Sequence, residues 1–374
     1  MSFKPIAAIL GDTHIGARNG SQYMRDFILG YHKKFFRQCQ DIGIKEIIQL
    51  GDMFDVRKSL YARDYSMLTR DIIPELQLAG LTERTLPGNH DIALADSVEM
   101  SWTQLAEDVS DGSIVNYWKP GDYKIAGMTI CVIPWVCAEN IEEVKKAIEE
   151  SKAELCVGHF EFAGFEMYRG TVAEHGSIQA SLFSKFKQVL SGHYHTRSES
   201  GNIRYVGAPY HLTWQDYPDG VNRGFEVLHY DDQTGEFKLE FVKNDVKDSV
   251  FRVFAYDQSS DENYGDYVTP EYLNKTLGFE GQIVRVQVVN REASKNKFDK
   301  FCAALKASKT IDYMVVDNSE IIVSSEITVD EAVLQMDVLK VLNEKVEKSV
   351  GVDINSVKMK LHEINKVAQQ RELI

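Results

Sequence analysis

Five short motifs rich in histidine and aspartate occur in order along the first 200 residues. Each one follows an apolar run and contains a glycine or follows one. Glycine lets the backbone turn sharply, so the next polar side chain projects beyond the end of a strand. The motifs are Asp12-Thr13-His14, Gly51-Asp52-Met53-Phe54-Asp55, Gly88-Asn89-His90-Asp91, Gly158-His159 and Gly192-His193-Tyr194-His195.

These motifs offer seven side chains that can bind metal ions. The spacing of two in Asp12-x-His14 and in His193-x-His195 places both side chains on one face of an extended segment. Mixed imidazole, carboxylate and amide donors suit manganese, zinc or iron. Two such ions about 4 Å apart can polarise a phosphoryl group and activate water for in-line attack. The predicted ligands are Asp12, His14, Asp52, Asn89, His159, His193 and His195.

Three carboxylates and one histidine in these motifs receive further roles. A bridge between two ions needs two carboxylate oxygens, so Asp12 and Asp52 are the candidates, and we favour Asp52 because Asp12 is expected to act with His14. His90 is expected to point away from the ions and to face the scissile phosphate as a charge-stabilising or proton-donating group. Asp55 is expected to hydrogen-bond the His90 ring and keep it protonated.

A single Gly-His or Gly-Asn-His-Asp is more often a structural turn than a functional site. Here all five motifs occur in one order, each after a strand, and this joint occurrence favours function. The histidines outside the motifs are interpreted as structural: His32, His175, His211, His229 and His362.

The first 245 residues repeat an apolar run, a polar turn and an amphipathic helix. This repeat predicts a layered α/β fold, in which sites lie at strand ends. Predicted strands are residues 6–10, 47–50, 84–86, 130–133, 155–157, 189–190, 204–206, 225–229 and 237–242, and predicted helices are 28–42, 65–78 and 141–151.

A polar stretch over residues 245–265 indicates a domain boundary. Beyond it, the sequence predicts strands at 283–289 and 321–323 and a helix at 297–307, which together indicate a small α/β domain. From Thr328 onward the chain is predicted to be helical, with a break near Gly351 that divides it into two helices. We therefore predict a catalytic domain at 1–245, a second domain at 246–327 and a helical segment at 328–374.

Composition narrows the class of protein. The chain has 374 residues, 44% of them hydrophobic, without an apolar run of membrane-spanning length or a signal peptide, and its five scattered cysteines indicate no disulfide framework. We expect a cytoplasmic protein. The net charge of −14 lowers the expectation of autonomous tight DNA binding, although metal-binding carboxylates account for part of it.

The motifs resemble those of the calcineurin-like metallophosphoesterases. Within that family the segments at 51–57, 192–195 and 206–209 are similar to those of the SbcD-type DNA-repair nucleases, and Ile133-Pro134-Trp135 and residues 157–161 are similar to their bacteriophage recombination-endonuclease branch. The likeness covers residues 1 to about 245 and extends to the rest only in architecture. Some relatives carry histidine where this chain has Asp55.

The resemblance implies a four-layer β-sandwich flanked by helices, two Mn²⁺ ions with Mg²⁺ a poorer substitute, and a capping domain that positions DNA. It implies that the 328–374 segment docks on an SbcC-type coiled-coil ABC ATPase. It also implies that two copies of this chain form a homodimer, which assembles with the ATPase into a heterotetramer. If the chain is phage-encoded, this assembly is expected in the host cytoplasm. It also assigns ligands: Asp12, His14, Asp52 and His195 to one ion, and Asp52, Asn89, His159 and His193 to the other, with His90 as the transition-state histidine.

Three functions compete at this point. The first is a metal-dependent DNA exonuclease or endonuclease in repair and recombination, the second a phosphoprotein phosphatase or cyclic-nucleotide phosphodiesterase, and the third a scaffold without activity. The full ligand set argues against a scaffold, and the long C-terminal extension argues against a minimal phosphatase.

A dimer is expected through helical stripes of the first domain, with Tyr65, Leu68, Ile72 and Leu76 as one stripe and Met100, Leu105 and Val109 as another. The alternative is that both stripes cover the chain's own sheet.

Overall fold

The computed structural model describes residues 2–94, 96–168, 170–244, 249–258, 268–291 and 296–317. Residues 1–316 form one compact unit. The predicted strand at 321–323 and the predicted helical segment at 328–374 lie outside the described residues, and the predicted division into three regions stays a prediction.

Nineteen strands are present in the described part of the chain, and they form two large sheets and three smaller ones. The strands are β1 (Lys4–Leu10), β2 (Glu46–Gln49), β3 (Thr82–Thr85), β4 (Ile92–Leu94), β5 (Ser97–Ser101), β6 (Ile114–Asn116), β7 (Gly121–Ile125), β8 (Met128–Ile133), β9 (Leu155–His159), β10 (Glu166–Tyr168), β11 (Thr171–Val172), β12 (Gln188–Gly192), β13 (Ser198–Ser200), β14 (Ile203–Tyr205), β15 (Gly224–Tyr230), β16 (Phe237–Lys243), β17 (Phe251–Asp257), β18 (Ile283–Asn290) and β19 (Asp312–Asp317).

Each large sheet has six strands with a parallel centre. The first has the order β16-β15-β1-β2-β3-β6, in which β1, β2, β3 and β6 are parallel and β15 and β16 are antiparallel additions. The second has the order β13-β14-β12-β9-β8-β7, in which β14, β12, β9 and β8 are parallel. All nine strands predicted in the first 245 residues are present, with ends that differ by a few residues.

The two large sheets face each other across a shared apolar layer. In β1, Ala7 and Ile9 enter this layer together with Ile130 of β8 and Val157 of β9. Alternate residues of β1 point to the other side, where Leu10 packs with the helices. A strand buried on both faces has to be apolar throughout, which is why β1 reads as a continuous apolar run.

Helices cover the outer face of each sheet, so the order of layers is helix, sheet, sheet, helix. The 21-residue helix α1 buries residues three or four apart, and Gly43, with a φ of 85°, ends it. Within the described ranges, the α-helices of more than four residues are α1 (Gln22–Ile42), α2 (Ala62–Met67), α3 (Ile73–Leu78), α4 (Trp102–Val109), α5 (Ile141–Glu150) and α6 (Asn296–Lys306), and a π-helical turn at Leu68–Ile72 joins α2 to α3.

The predicted stripe on α2 and α3 mostly covers the chain's own core. Leu68, Ile72 and Leu76 are at most 2% exposed and belong to the core beneath the first sheet, whereas Tyr65 is 39% exposed. On the second stripe Met100 is 63% exposed and Val109 packs partly against the same core. These stripes therefore leave single exposed side chains and no continuous apolar face.

β17, which lies within the polar stretch at 245–265, forms a three-stranded sheet with β18 and β19, and the apolar side of this sheet packs against α6. The strand predicted at 283–289 and the helix predicted at 297–307 are confirmed as β18 and α6. No helix in the described ranges is long and apolar enough to cross a membrane.

Candidate metal centre

All seven predicted ligands lie where the parallel strands of the two large sheets end. Asp12 and His14 follow β1, Asp52 follows β2, and Asn89 follows β3. From the facing sheet, His159 is the last residue of β9, and His193 and His195 follow β12. Because both sheets turn the same strand ends toward one place, residues 181 positions apart meet there.

One group consists of Asp12, His14 and His195, whose potential donor atoms all lie within 4.8 Å of one another. Nε2 of His195 is 3.2 Å from Nε2 of His14 and 3.9 Å from Oδ2 of Asp12. The Asp12 carboxylate also accepts the backbone N–H of His193 at 3.0 Å, which ties the loop after β12 to the loop after β1.

A second group consists of Asp52, His159 and His193, again with donor atoms within 4.8 Å of one another. Asn89 joins it, because its Oδ1 lies 3.0 Å from Nε2 of His159 and 2.8 Å from Nδ1 of His193. The backbone carbonyl of Leu50 lies 2.7 Å from Nδ1 of His159 and accepts its hydrogen, which turns Nε2 toward the group.

Asp52 lies between the two groups. Its Oδ2 is 3.7 Å from Nε2 of His14 and 3.4 Å from Nε2 of His159. Its Oδ1 accepts the backbone N–H of His90 at 2.8 Å. One buried carboxylate is therefore in reach of both groups, as a bridging ligand has to be.

The donor set fits divalent cations. Two ligands of one ion, each about 2.0–2.2 Å from it, lie roughly 3.0–3.4 Å apart at tetrahedral or octahedral angles, and the facing His14 and His195 nitrogens are at 3.2 Å. Two imidazole nitrogens at this distance need a proton or a cation between them. In the described residues, each of the two groups has the carboxylate and imidazole donors that manganese, zinc or iron accept.

The electrostatics of the two groups also favour the binding of cations. Burial disfavours a charged His14 ring, yet the carboxylates of Asp55, Asp52 and Asp12 outweigh burial and raise its pKa to about 9. His159 is buried too, and Asp52 and Asp12 raise its pKa to about 9. The negative charge that attracts these protons would attract cations equally, so metal binding and proton release are coupled.

Three glycines allow the loops to approach so closely. A Cβ on Gly51 would lie 2.6 Å from Nδ1 of His159, and one on Gly192 would lie 2.7 Å from Oδ1 of Asp12. A Cβ on Gly88 would overlap the backbone nitrogen and carboxylate of Asp52. The backbone itself is strained at the site, because His14, Asp52 and His193 have φ values of 43°, 51° and 88°, and such conformations concentrate at functional sites.

The predicted hydrogen bond between Asp55 and the His90 ring is present, but it is made by the backbone carbonyl of Asp55 and not by its carboxylate. Oδ1 of Asp55 lies 3.3 Å from Nδ1 of His14, and it is the backbone carbonyl of Asp55 that accepts a 2.7 Å hydrogen bond from Nδ1 of His90. The reason is that Ile15 pairs with Phe54, which aligns the loop carrying His14 beside the loop carrying Asp55. Burial is the main cause that lowers the pKa of His90, and it outweighs the raising effects of the Asp52 carboxylate and of Asp55.

Asp91 supports the site through contacts with a second loop. The Asp91 carboxylate accepts the backbone N–H groups of Met53, Phe54 and Gly88 and so joins two loops. The motif Gly-Asn-His-Asp contained this residue without revealing its partners.

Two further residues contact the site although the sequence assigned them no role in it. Oδ1 of the fully buried Asp216 lies 3.3 Å from Nδ1 of His195. The ring of Trp135 packs against the rings of His159 and His193, with centroids 5.8 and 5.2 Å apart. Trp135 belongs to the Ile133-Pro134-Trp135 segment that carries the family resemblance, and its position shortly after β8, at the same edge as the ligands, indicates its place.

The fold and the site together define an α/β protein of four layers with a candidate two-ion centre at its strand ends. No protein-family model matches the chain. It is similar to "Exonuclease subunit 1" of Enterobacteria phage T4, with 31% identity over 319 residues that cover 83% of this chain and 86% of the phage protein. The chain belongs to the family of that exonuclease subunit.

Proposed function

We propose that this chain is the nuclease subunit of a DNA repair and recombination nuclease, which hydrolyses phosphodiester bonds with two Mn²⁺ ions. The observation that carries the proposal is Asp52, whose Oδ2 lies within 3.7 Å of imidazole nitrogens from both groups. The similarity to an exonuclease subunit favours nucleic acid over phosphoprotein as the substrate.

In this proposal Asp12, His14, Asp52 and His195 hold one ion, and Asp52, Asn89, His159 and His193 hold the other. Two bound ions supply positive charge for the phosphate oxygens and lower the pKa of a water molecule. The protein's own part is to hold the donors in place: buried backbone contacts of His159 and Asp52 fix the ring and the carboxylate before any ion binds.

His90 is the residue that we assign to the substrate. Its Nδ1 donates to the carbonyl of Asp55, so the hydrogen of the neutral ring is held at Nδ1, and Nε2 remains for the substrate. A negatively charged phosphate beside Nε2 favours the protonated ring, which can then stabilise developing charge or deliver its proton to the leaving oxygen. Asp55 contributes by its carbonyl to His90 and by its carboxylate to His14.

The test is to incubate the purified full-length chain and Mn²⁺ with end-labelled double- and single-stranded DNA and, in parallel, with a phosphopeptide and a cyclic nucleotide. Cleavage of DNA with little release of phosphate from the peptide supports the proposal. The reverse preference would make the chain a phosphatase on the same fold. Activity on none of the substrates, with metal bound, would refute catalysis.

A partner is part of the proposal, because the related phage protein is named as a subunit. We assign residues 328–374 to docking on a coiled-coil ABC-type ATPase and residues 246–327 to a cap over the DNA. Truncation after Ser325 tests the docking assignment. The shortened chain should keep its melting temperature and its basal Mn²⁺-dependent cleavage, but lose ATP-stimulated cleavage and co-purification with the ATPase. An insoluble or unfolded product would contradict docking.

We also propose that two copies assemble, as a homodimer within a heterotetramer with the ATPase. This part of the proposal rests on the family resemblance, because the predicted helical stripes leave only single exposed apolar side chains, among them Tyr65 at 39% and Met100 at 63%. Light scattering at micromolar concentration, with and without DNA, measures the assembly directly. A monomer under both conditions would contradict it.

A further inference from the structure

The two candidate ion sites differ in which protein groups contact the outer nitrogens of their imidazole rings. Behind His14, Oδ1 of Asp55 lies 3.3 Å from Nδ1, and behind His195, Oδ1 of Asp216 lies 3.3 Å from Nδ1. Both rings of the first group are therefore backed by a carboxylate. Such a carboxylate orients a ligating imidazole and raises its basicity.

The second group has weaker support. The Nδ1 of His159 is backed by a neutral carbonyl, that of Leu50. The nearest carboxylate oxygen to His193 is that of Glu161, at 4.0 Å from Nε2 and on a side chain that is 41% exposed. The additional ligand of this group, Asn89, is a neutral amide, whereas Asp12 gives the first group a second carboxylate beside the shared Asp52.

Asp216 is itself held rigidly. Its Oδ2 accepts the backbone N–H groups of Leu212 and Thr213 at 3.0 and 2.8 Å, and its Oδ1 lies 3.3 Å from Nη2 of Arg223. Arg223 also donates to the backbone carbonyl of His195. Side chain and backbone of His195 are thus fixed from one buried unit, in which Asp216 is 0% and Arg223 3% exposed.

Building on the proposed two-metal function, we propose that Asp216 is a positioning residue. It holds the His195 ring so that Nε2 faces Asp12 and His14, and it makes this group the tighter of the two ion sites. The centre then fills in two steps, with the group of Asp12, His14 and His195 first. Loss of such a supporting carboxylate typically lowers metal affinity about 10- to 100-fold.

Calorimetric titration of the metal-free, full-length protein with Mn²⁺ tests this inference. The wild type should bind two ions in two separate steps. Asp216→Asn should weaken the tight step about 10- to 100-fold and leave the weak step unchanged. A variant that keeps the tight step, or that weakens both steps equally, would overturn the proposal, as would a wild type with two equal sites.

Asp231→Asn is a matched control. Asp231 is also a buried aspartate, 2% exposed, that accepts backbone N–H groups, here from Gln233 and Ser2. It follows β15 next to the start of β1, at the opposite end of that strand from Asp12. This variant should bind Mn²⁺ as the wild type does. Circular dichroism and thermal melting of both variants separate a loss of fold from a loss of one site.

If Asp216→Asn fails to fold, variants of the ligands decide the question. His193→Asn should keep the tight step and His195→Asn should lose it, and the reverse pattern would overturn the order of filling. DNA cleavage at saturating Mn²⁺ is measured separately. Stepwise binding without cleavage would refute the proposed function and leave this inference standing, whereas cleavage with two equal sites would do the opposite.

Discussion

Replacing His90 with alanine is the sharpest probe of the division between metal ligands and substrate contacts. The ring lies at the edge of the site and bonds through Nδ1 to the carbonyl of Asp55, while its backbone N–H donates to Oδ1 of Asp52. Alanine removes the ring and keeps the backbone donor, so the carboxylate between the two groups stays in place. We therefore expect both Mn²⁺ ions to bind with wild-type affinity.

The expected loss is catalytic. One donor directed at developing charge is worth about 2.7–4 kcal/mol in the transition state, which corresponds to a drop of about 10²–10³ in kcat. Single-turnover cleavage of labelled DNA at saturating Mn²⁺ measures this, and calorimetry counts the ions. His175→Ala, at an exposed position away from the motifs, is the control and should cut at the wild-type rate. If His90→Ala loses one Mn²⁺ equivalent, or cuts at the wild-type rate, the assignment of His90 is wrong.

Three further predictions concern the ions and the pH dependence of stability. Asp52→Ala should lose both Mn²⁺ ions, because its carboxylate reaches both groups; a variant that still binds two ions in calorimetry would refute the bridge. Mn²⁺ should support cleavage much better than Mg²⁺, which prefers an octahedron of oxygens, since four of the seven ligands are imidazoles; equal rates at saturating concentrations would contradict this. Burial raises the pKa of Glu83 on β3 from 4.5 to about 7, so the folded state favours the protonated acid, and the contribution of Glu83 to stability should fall as pH rises from about 4.5 to 7. In urea unfolding Glu83→Gln should lack this fall, so that its stability relative to the wild type increases by roughly 3 kcal/mol between pH 4.5 and 7.5; parallel pH curves would refute it.

The strands and the convergence of the candidate ligands could be predicted from the sequence because both leave a local signal. A strand buried on two faces is apolar throughout, and a glycine followed by a metal-capable side chain stands out after it, as at Gly51 and Asp52. Parallel strands end at the same edge of a sheet. From these facts alone, the convergence of the loops after β1, β2 and β3 could be expected.

Contacts between loops could not be predicted in the same way. Asp55 is three residues from Asp52 and was expected to serve His90, but its direction is set by the pairing of Ile15 with Phe54, which no spacing reveals. The carboxylate behind His195 comes from Asp216, 21 residues later in a loop without a motif. The stripe of Leu68, Ile72 and Leu76 illustrates the same limit, because an apolar helix face looks alike whether it covers its own sheet or another chain.

The most direct test of a shared two-ion centre is anomalous diffraction from crystals of the full-length protein soaked in Mn²⁺. We predict two anomalous peaks, one beside Asp12, His14 and His195 and one beside His159, His193 and Asn89, with the Asp52 carboxylate in contact with both. A single peak, or two peaks of which only one contacts Asp52, would contradict the account.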